Sequence, residues 1–195
     1  MLAPLPGPGS MLLNIGFLDD ATRPTVPKLT GLTDEQRYAG EHLKEIHDHL
    51  RGNMQRIRSL IARAAEGQVT PAQVVEQTAD LLMVENLRRF GNLCGQVCQV
   101  VHTHHSIEDA YVFPALAAQS EGYARVTERL QAEHGVVHEL LLRQIDTLNA
   151  LAADPNDPNF ADAREVFEAL ERVLLSHLGY EEEQIGDALG YYGVF

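Results

Sequence analysis

Three pairs of metal-binding side chains recur at one spacing: His104 and Glu108 in VVHTHHSIEDAYVFPAL, His134 and His138 in EHGVVHELL, and His177 and Glu181 in SHLGYEEEQIGDAL. Residues four apart on a helix share a face, so each pair aims two donors at one point. Imidazole nitrogens and carboxylate oxygens both offer lone pairs to a cation, and the chemistry they suit together is metal coordination. Spacing alone does not separate a ligand from surface decoration. Position relative to the apolar stripe does.

Around the first pair, Leu93, Val97, Val101, His104, Glu108 and Val112 keep the three-and-four spacing of a buried helix face. Leu130, His134, Val137, His138, Leu141 and Ile145 repeat it, as do Phe167, Leu170, Leu174, His177, Glu181 and Ile185. Each unsatisfied polar group in a core costs on the order of 1–3 kcal/mol, and a bound cation compensates all of them at once. An earlier helix carries Leu43, Ile46, Leu50, Met54, Ile57 and Ile61, and His47 falls on that stripe. His42, His49 and His102 lie off the stripes and read as surface. His105 faces inward through Cys98, Val101 and Val112, which reads as a place behind the ligands. Tyr111 and Tyr180 are near enough in sequence to donate to a bound ligand, although packing is the simpler role.

Four helices must position these groups. Thr33-Asp34-Glu35-Gln36 is a capping box that starts a first helix, ending at Gly67. Thr70-Pro71 opens a second, which runs through the first pair and stops or kinks at Pro114. Ser120 caps a third that reaches about Ala152, and Asp157-Pro158 opens a fourth that ends by Gly190. The sequence therefore predicts an all-α fold, an antiparallel up-down four-helix bundle over residues 33–190. Residues 1–32, rich in proline and glycine, read as an extended N-terminal arm, and residues 191–195 as an aromatic tail. Pro6-Gly7-Pro8-Gly9-Ser10 has the look of a cloning remnant, with Met11 as the alternative start. The apolar residues from Met11 to Leu18 are left to dock on the bundle or on a second copy, so a homodimer is open.

A chain of 195 residues with 45% hydrophobic content can bury a sizeable core as one domain. Its net charge of -13 argues against nucleic acid or an anionic membrane as partner. No apolar run reaches the roughly 18–20 residues of a membrane span, and a cytoplasmic location is the expectation. Cys94 and Cys98, four apart on one helix, read as reduced, buried small hydrophobes.

A single inward His on the first helix, followed by His-x-x-x-Glu, His-x-x-x-His and His-x-x-x-Glu, resembles the hemerythrin-like (HHE cation-binding) domain over roughly residues 35–190. HHSIEDAYVFPAL, HLGYEEEQIGDAL and IHDHLR are similar to that family's motifs. The resemblance implies two iron ions joined by an oxo or hydroxo group, with manganese or zinc as alternatives. One iron would take His134, His138 and His177 and the other His47 and His104, with Glu108 and Glu181 bridging. The two-histidine iron is then one ligand short of six. The family's oxygen carriers place an Asp five residues after the last His; here Glu181 stands four after, with Glu182 at the fifth place. Glu181 is the expected ligand because it continues the stripe. Expected small ligands are O2, H2O2 or NO. The alternatives are an oxygen-activating oxidoreductase with an organic substrate, or a metal-buffering bundle, and enzyme status stays open.

Overall fold

The computed structural model describes residues 11–70, 72–74, 76 and 96–194, and every regular element among them is helical. Helix α1 spans Asp34–Ala65, and its start is the expected capping box: the Thr33 hydroxyl accepts from the Gln36 N–H, and the Gln36 side chain accepts from the Thr33 N–H. Gly67, with φ 72°, turns the chain where a side chain would be strained. Thr70 and Gln73 cap one another in the same way. The middle of the expected second helix, with Leu93 and Cys94, lies outside the described residues.

Helix α2 comprises Gln96–Ile107, a π turn at Glu108–Val112, and Phe113–Ala117. Instead of stopping at Pro114, the chain widens by one residue just before it. The Phe113 N–H bonds to the Glu108 carbonyl, five residues back, so the proline's missing donor falls where the regular ladder has already shifted. Helix α3 (Glu121–Ala153) is capped by Ser120. Helix α4 (Asp157–Tyr191) opens at Asp157 and Pro158 and is capped by Asn156, whose side chain accepts from the Asn159 N–H.

Helix α4 packs against both α1 and α3, and α2 packs against α3. The α1–α4 contact is close because it is made through glycines. A Cβ added at Gly40 would sit 2.8 Å from the Gly186 carbonyl oxygen, and one at Gly190 would collide with the Gln36 carbonyl. Two apolar layers result. One holds Leu50, Met54, Val101, Val137, Leu141 and Leu174; the other holds Leu43, Phe113, Leu116, Leu130, Ile185 and Leu189. Along each helix the site residues fall between these layers: His47 between Leu43 and Leu50, His134 between Leu130 and Val137, His177 and Glu181 between Leu174 and Ile185.

The arm lies on the bundle. Leu13, Ile15 and Phe17 pack against the first layer, and Val26 and Leu29 against the second. Tyr192, just beyond α4, packs edge-on against Tyr123.

Candidate metal centre

Seven described side chains converge between the two layers: His47 from α1, His104, His105 and Glu108 from α2, His134 from α3, and His177 and Glu181 from α4. Their donor atoms form two sets, His105, His134 and His177 in one and His47, His104, Glu108 and Glu181 in the other, and within each set every donor lies within 4.8 Å of the others. The carboxylates join the sets. Glu108 places Oε1 3.1 Å from His104 Nε2 and Oε2 3.6 Å from His134 Nε2. Glu181 places Oε2 3.5 Å from His47 Nε2 and 3.6 Å from His177 Nε2.

Behind three of the imidazoles stands a further carboxylate. His47 Nδ1 is 2.8 Å from Glu182, His134 Nδ1 is 2.9 Å from Asp109, and His177 Nδ1 is 3.1 Å from Glu133. An ionised carboxylate can only accept, so each ring supplies its proton from Nδ1 and keeps its lone pair on Nε2. Yet His134 Nε2 and His177 Nε2 are only 3.1 Å apart. Two lone pairs facing each other at that distance repel unless a cation draws both. His134 cannot swing away, because its ring is stacked on His105 at 3.7 Å and lies 5.2 Å from Phe113.

The remaining polar atoms point the same way. His105 Nε2, Glu108 Oε2 and both Glu181 oxygens are buried without a hydrogen-bond partner among the described residues. Burial lowers the basicity of His47 and His105, and it brings His104 down to about 3 and His177 to about 4, so these rings are neutral at neutral pH. Burial, with mutual repulsion, raises Glu108; burial also raises Glu181. Burial alone would raise Glu133 as well, but hydrogen bonds from His177, Arg23 and Arg129 outweigh it and hold it at about 2. Neutral imidazoles and buried, unpartnered carboxylate oxygens are what a divalent cation requires, and the donor set without thiolate suits iron, manganese or zinc.

A family model for the hemerythrin HHE cation binding domain matches residues 38–189. The chain belongs to this family. No curated protein and no solved structure matches it.

Against the expectation for an HHE domain, the structure gathers His47, His104, Glu108, His134, His177 and Glu181 but not His138. His138 is exposed, its ring 5.4 Å from that of His102 on the outside of α2. Its place in the three-histidine set is taken by His105, which the sequence reading had put behind the ligands. The reason is rotational. His134 sits at the margin of the buried arc of α3, whose centre lies toward Glu133, Val137 and Leu141; a four-residue step turns about 40° further and carries His138 out of it. On α2 the consecutive His104 and His105 instead flank the inward direction and feed one set each.

Tyr111 is 73% exposed and points away from the centre. Tyr180 is buried, but its hydroxyl donates to the Pro24 carbonyl at 2.7 Å, so it serves the arm. Glu181 is fully buried inside the centre, whereas Glu182 stands behind His47. Sequence reasoning missed Glu133 and Asp109 altogether. Their only signal was adjacency, Glu133 preceding His134 and Asp109 following Glu108.

Proposed function

We propose that this HHE domain holds two iron ions and uses the one with fewer protein ligands to bind a small molecule, O2, NO or H2O2. The observation that carries the reading is the inequality of the two donor sets: three imidazoles on one side, two on the other, with Glu108 and Glu181 within reach of both. His105, His134 and His177, with Glu108 and Glu181, would hold one iron, and His47 and His104, with the same two carboxylates, would hold the other with one protein ligand fewer. Bound iron would supply reversible redox change and an open position for the small ligand.

The chain's own residues do the rest. Glu182, Asp109 and Glu133 hold the Nδ1 protons, which keeps Nε2 of His47, His134 and His177 directed inward. The apolar layers on either side, from Leu43 to Leu189 and from Leu50 to Leu174, keep bulk water from the carboxylates. This reading takes the helices as an antiparallel up-down four-helix bundle acting in the cytoplasm, without a nucleic-acid partner; among the described residues no helix is long and apolar enough to cross a membrane.

Elemental analysis with an optical spectrum of the as-purified protein tests the proposal. Two irons per chain, and a spectrum that changes when the reduced protein meets O2 or NO, are the expected results. Zinc, or a single mononuclear metal in protein from its own host, would overturn it in favour of a metal-buffering role.

A further inference from the structure

Among the described residues of the N-terminal arm, Arg23 reaches the carboxylate that stands behind His177, and it lies outside the stretch matched by the family. Arg23 grips Glu133 with two parallel bonds, Nε to Oε1 at 2.8 Å and Nη2 to Oε2 at 2.9 Å. The same Glu133 Oε2 accepts from His177 Nδ1. Everything around Arg23 fixes its aim. Nη1 donates to Ser176 Oγ at 2.9 Å, the guanidinium lies 4.7 Å over the Tyr180 ring, and the next residue, Pro24, receives the Tyr180 hydroxyl. Arg129 ties the same parts together from the other side, bonding Glu133 Oε1 at 2.7 Å while also holding Thr22 Oγ1 and the Asp19 carbonyl.

We infer that the arm is a strap for the three-histidine side of the centre, with Arg23 as a positioning residue acting through Glu133 on His177. A bidentate guanidinium clamp allows a carboxylate little rotation, so the acceptor behind His177 is fixed in direction as well as in charge. The imidazole orientation follows from it. Beneath the arm lies a cavity of about 350 Å³ lined in part by Arg23, Glu133 and Ser176, so release of the strap would admit water to Glu133. Among the described residues the other histidine side shows no such tie: Glu182, behind His47, is held by Arg51 of the same helix as His47.

This inference rests on the two-iron reading, and the experiment separates the two. The full-length chain is freed of metal, titrated anaerobically with ferrous ion and then challenged with a ferrous chelator, and the release rate of each iron is followed. Arg23→Met should speed the release of one iron by about 10–100-fold and leave the other unchanged. Glu133→Gln should do the same, and Arg23→Met added to Glu133→Gln should bring no further acceleration. Arg23→Lys, which keeps the charge but not the fork, should fall between wild type and Arg23→Met, and it carries the comparison if Arg23→Met does not fold. Arg143→Met is the control: Arg143 holds the start of the arm at the Leu12 carbonyl, away from the centre, and its loss should leave both rates alone. Wild-type release rates in Arg23→Met, or effects of Arg23 and Glu133 that multiply, would overturn the inference alone. A wild-type chain that takes up fewer than two irons would overturn the two-iron reading beneath it.

Discussion

The two halves of the centre differ in how they are walled. His177 is fully buried, His134 and His105 nearly so, and the carboxylate behind His177 sits in a network closed by two arginines and the arm. Around His104 the wall is thinner: its side chain keeps 10% of its exposure, and beyond it Glu182 keeps 16% and Arg51 28%. His47 itself is as buried as His177, and Asp109 behind His134 keeps 33% of its exposure, so the nearer approach of water is at His104 and Glu182 rather than along a whole half. On the two-iron reading, His104 then marks the side from which a small ligand would reach the position with fewer protein ligands.

The sharpest way to break this contrast is to remove what the halves share. Glu181→Ala should release metal from both, leaving less than one ion per chain by elemental analysis. The thermal stability that metal adds should vanish with it, a loss on the order of 3 kcal/mol at metal concentrations well above the dissociation constant. Unchanged metal content would mean that Glu181 does not bridge. Next in size, His105→Ala should cost one metal ion of two, whereas His138→Ala should keep both and shift stability by less than about 0.5 kcal/mol, as for other surface changes. The reverse outcome in this pair would restore the His-x-x-x-His reading.

The third prediction concerns acid and base in the metal-free chain. A histidine whose basicity is lowered by burial takes up its proton later in the folded than in the unfolded chain, so acidification below about 6.5 favours unfolding through His47, His104, His105 and His177. A carboxyl raised by burial stays protonated in the fold after the unfolded chain has ionised above about 4.5, so Glu108 and Glu181 cost stability as pH rises. Four imidazoles outweigh two carboxyls in the window they share. Melting temperatures should therefore climb to a maximum near 6.5 and fall beyond it, and bound metal should abolish the alkaline fall by holding both carboxylates ionised. A metal-free chain whose melting temperature keeps rising to about pH 9 would contradict this. Smallest of all, Arg51→Ala should accelerate metal loss from the two-histidine side by no more than a few-fold, because Glu182 is already partly solvated and a solvent-reached ion pair contributes little. An effect as large as that of Arg23→Met would erase the difference between the halves.

Much of this was legible from the order of residues. Caps at Thr33, Thr70 and Ser120 announced helix starts because the side chains that satisfy free N–H groups sit within three residues of them. The stripes that place His47, His177 and Glu181 inward are local too, since a regular helix turns through the same angle at each step; on α4 every member from Phe167 to Ile185 is buried as its spacing implied. That local rule failed where register depended on something else. The choice between His105 and His138 turned on how far α3 is rotated against α2 and α4, and the π turn at Glu108–Val112 changes the phase of α2 in a way no periodicity displays. Glu133 and Arg23 lie 110 residues apart, and their pairing exists only because the arm folds back across α3 and α4. Sequence determined the helices, their inward faces and the kinds of donor they carry, because these follow from neighbours along the chain. Which imidazoles meet, and what holds them from behind, was decided by packing, because a rotation of about 40° separates a buried imidazole from an exposed one.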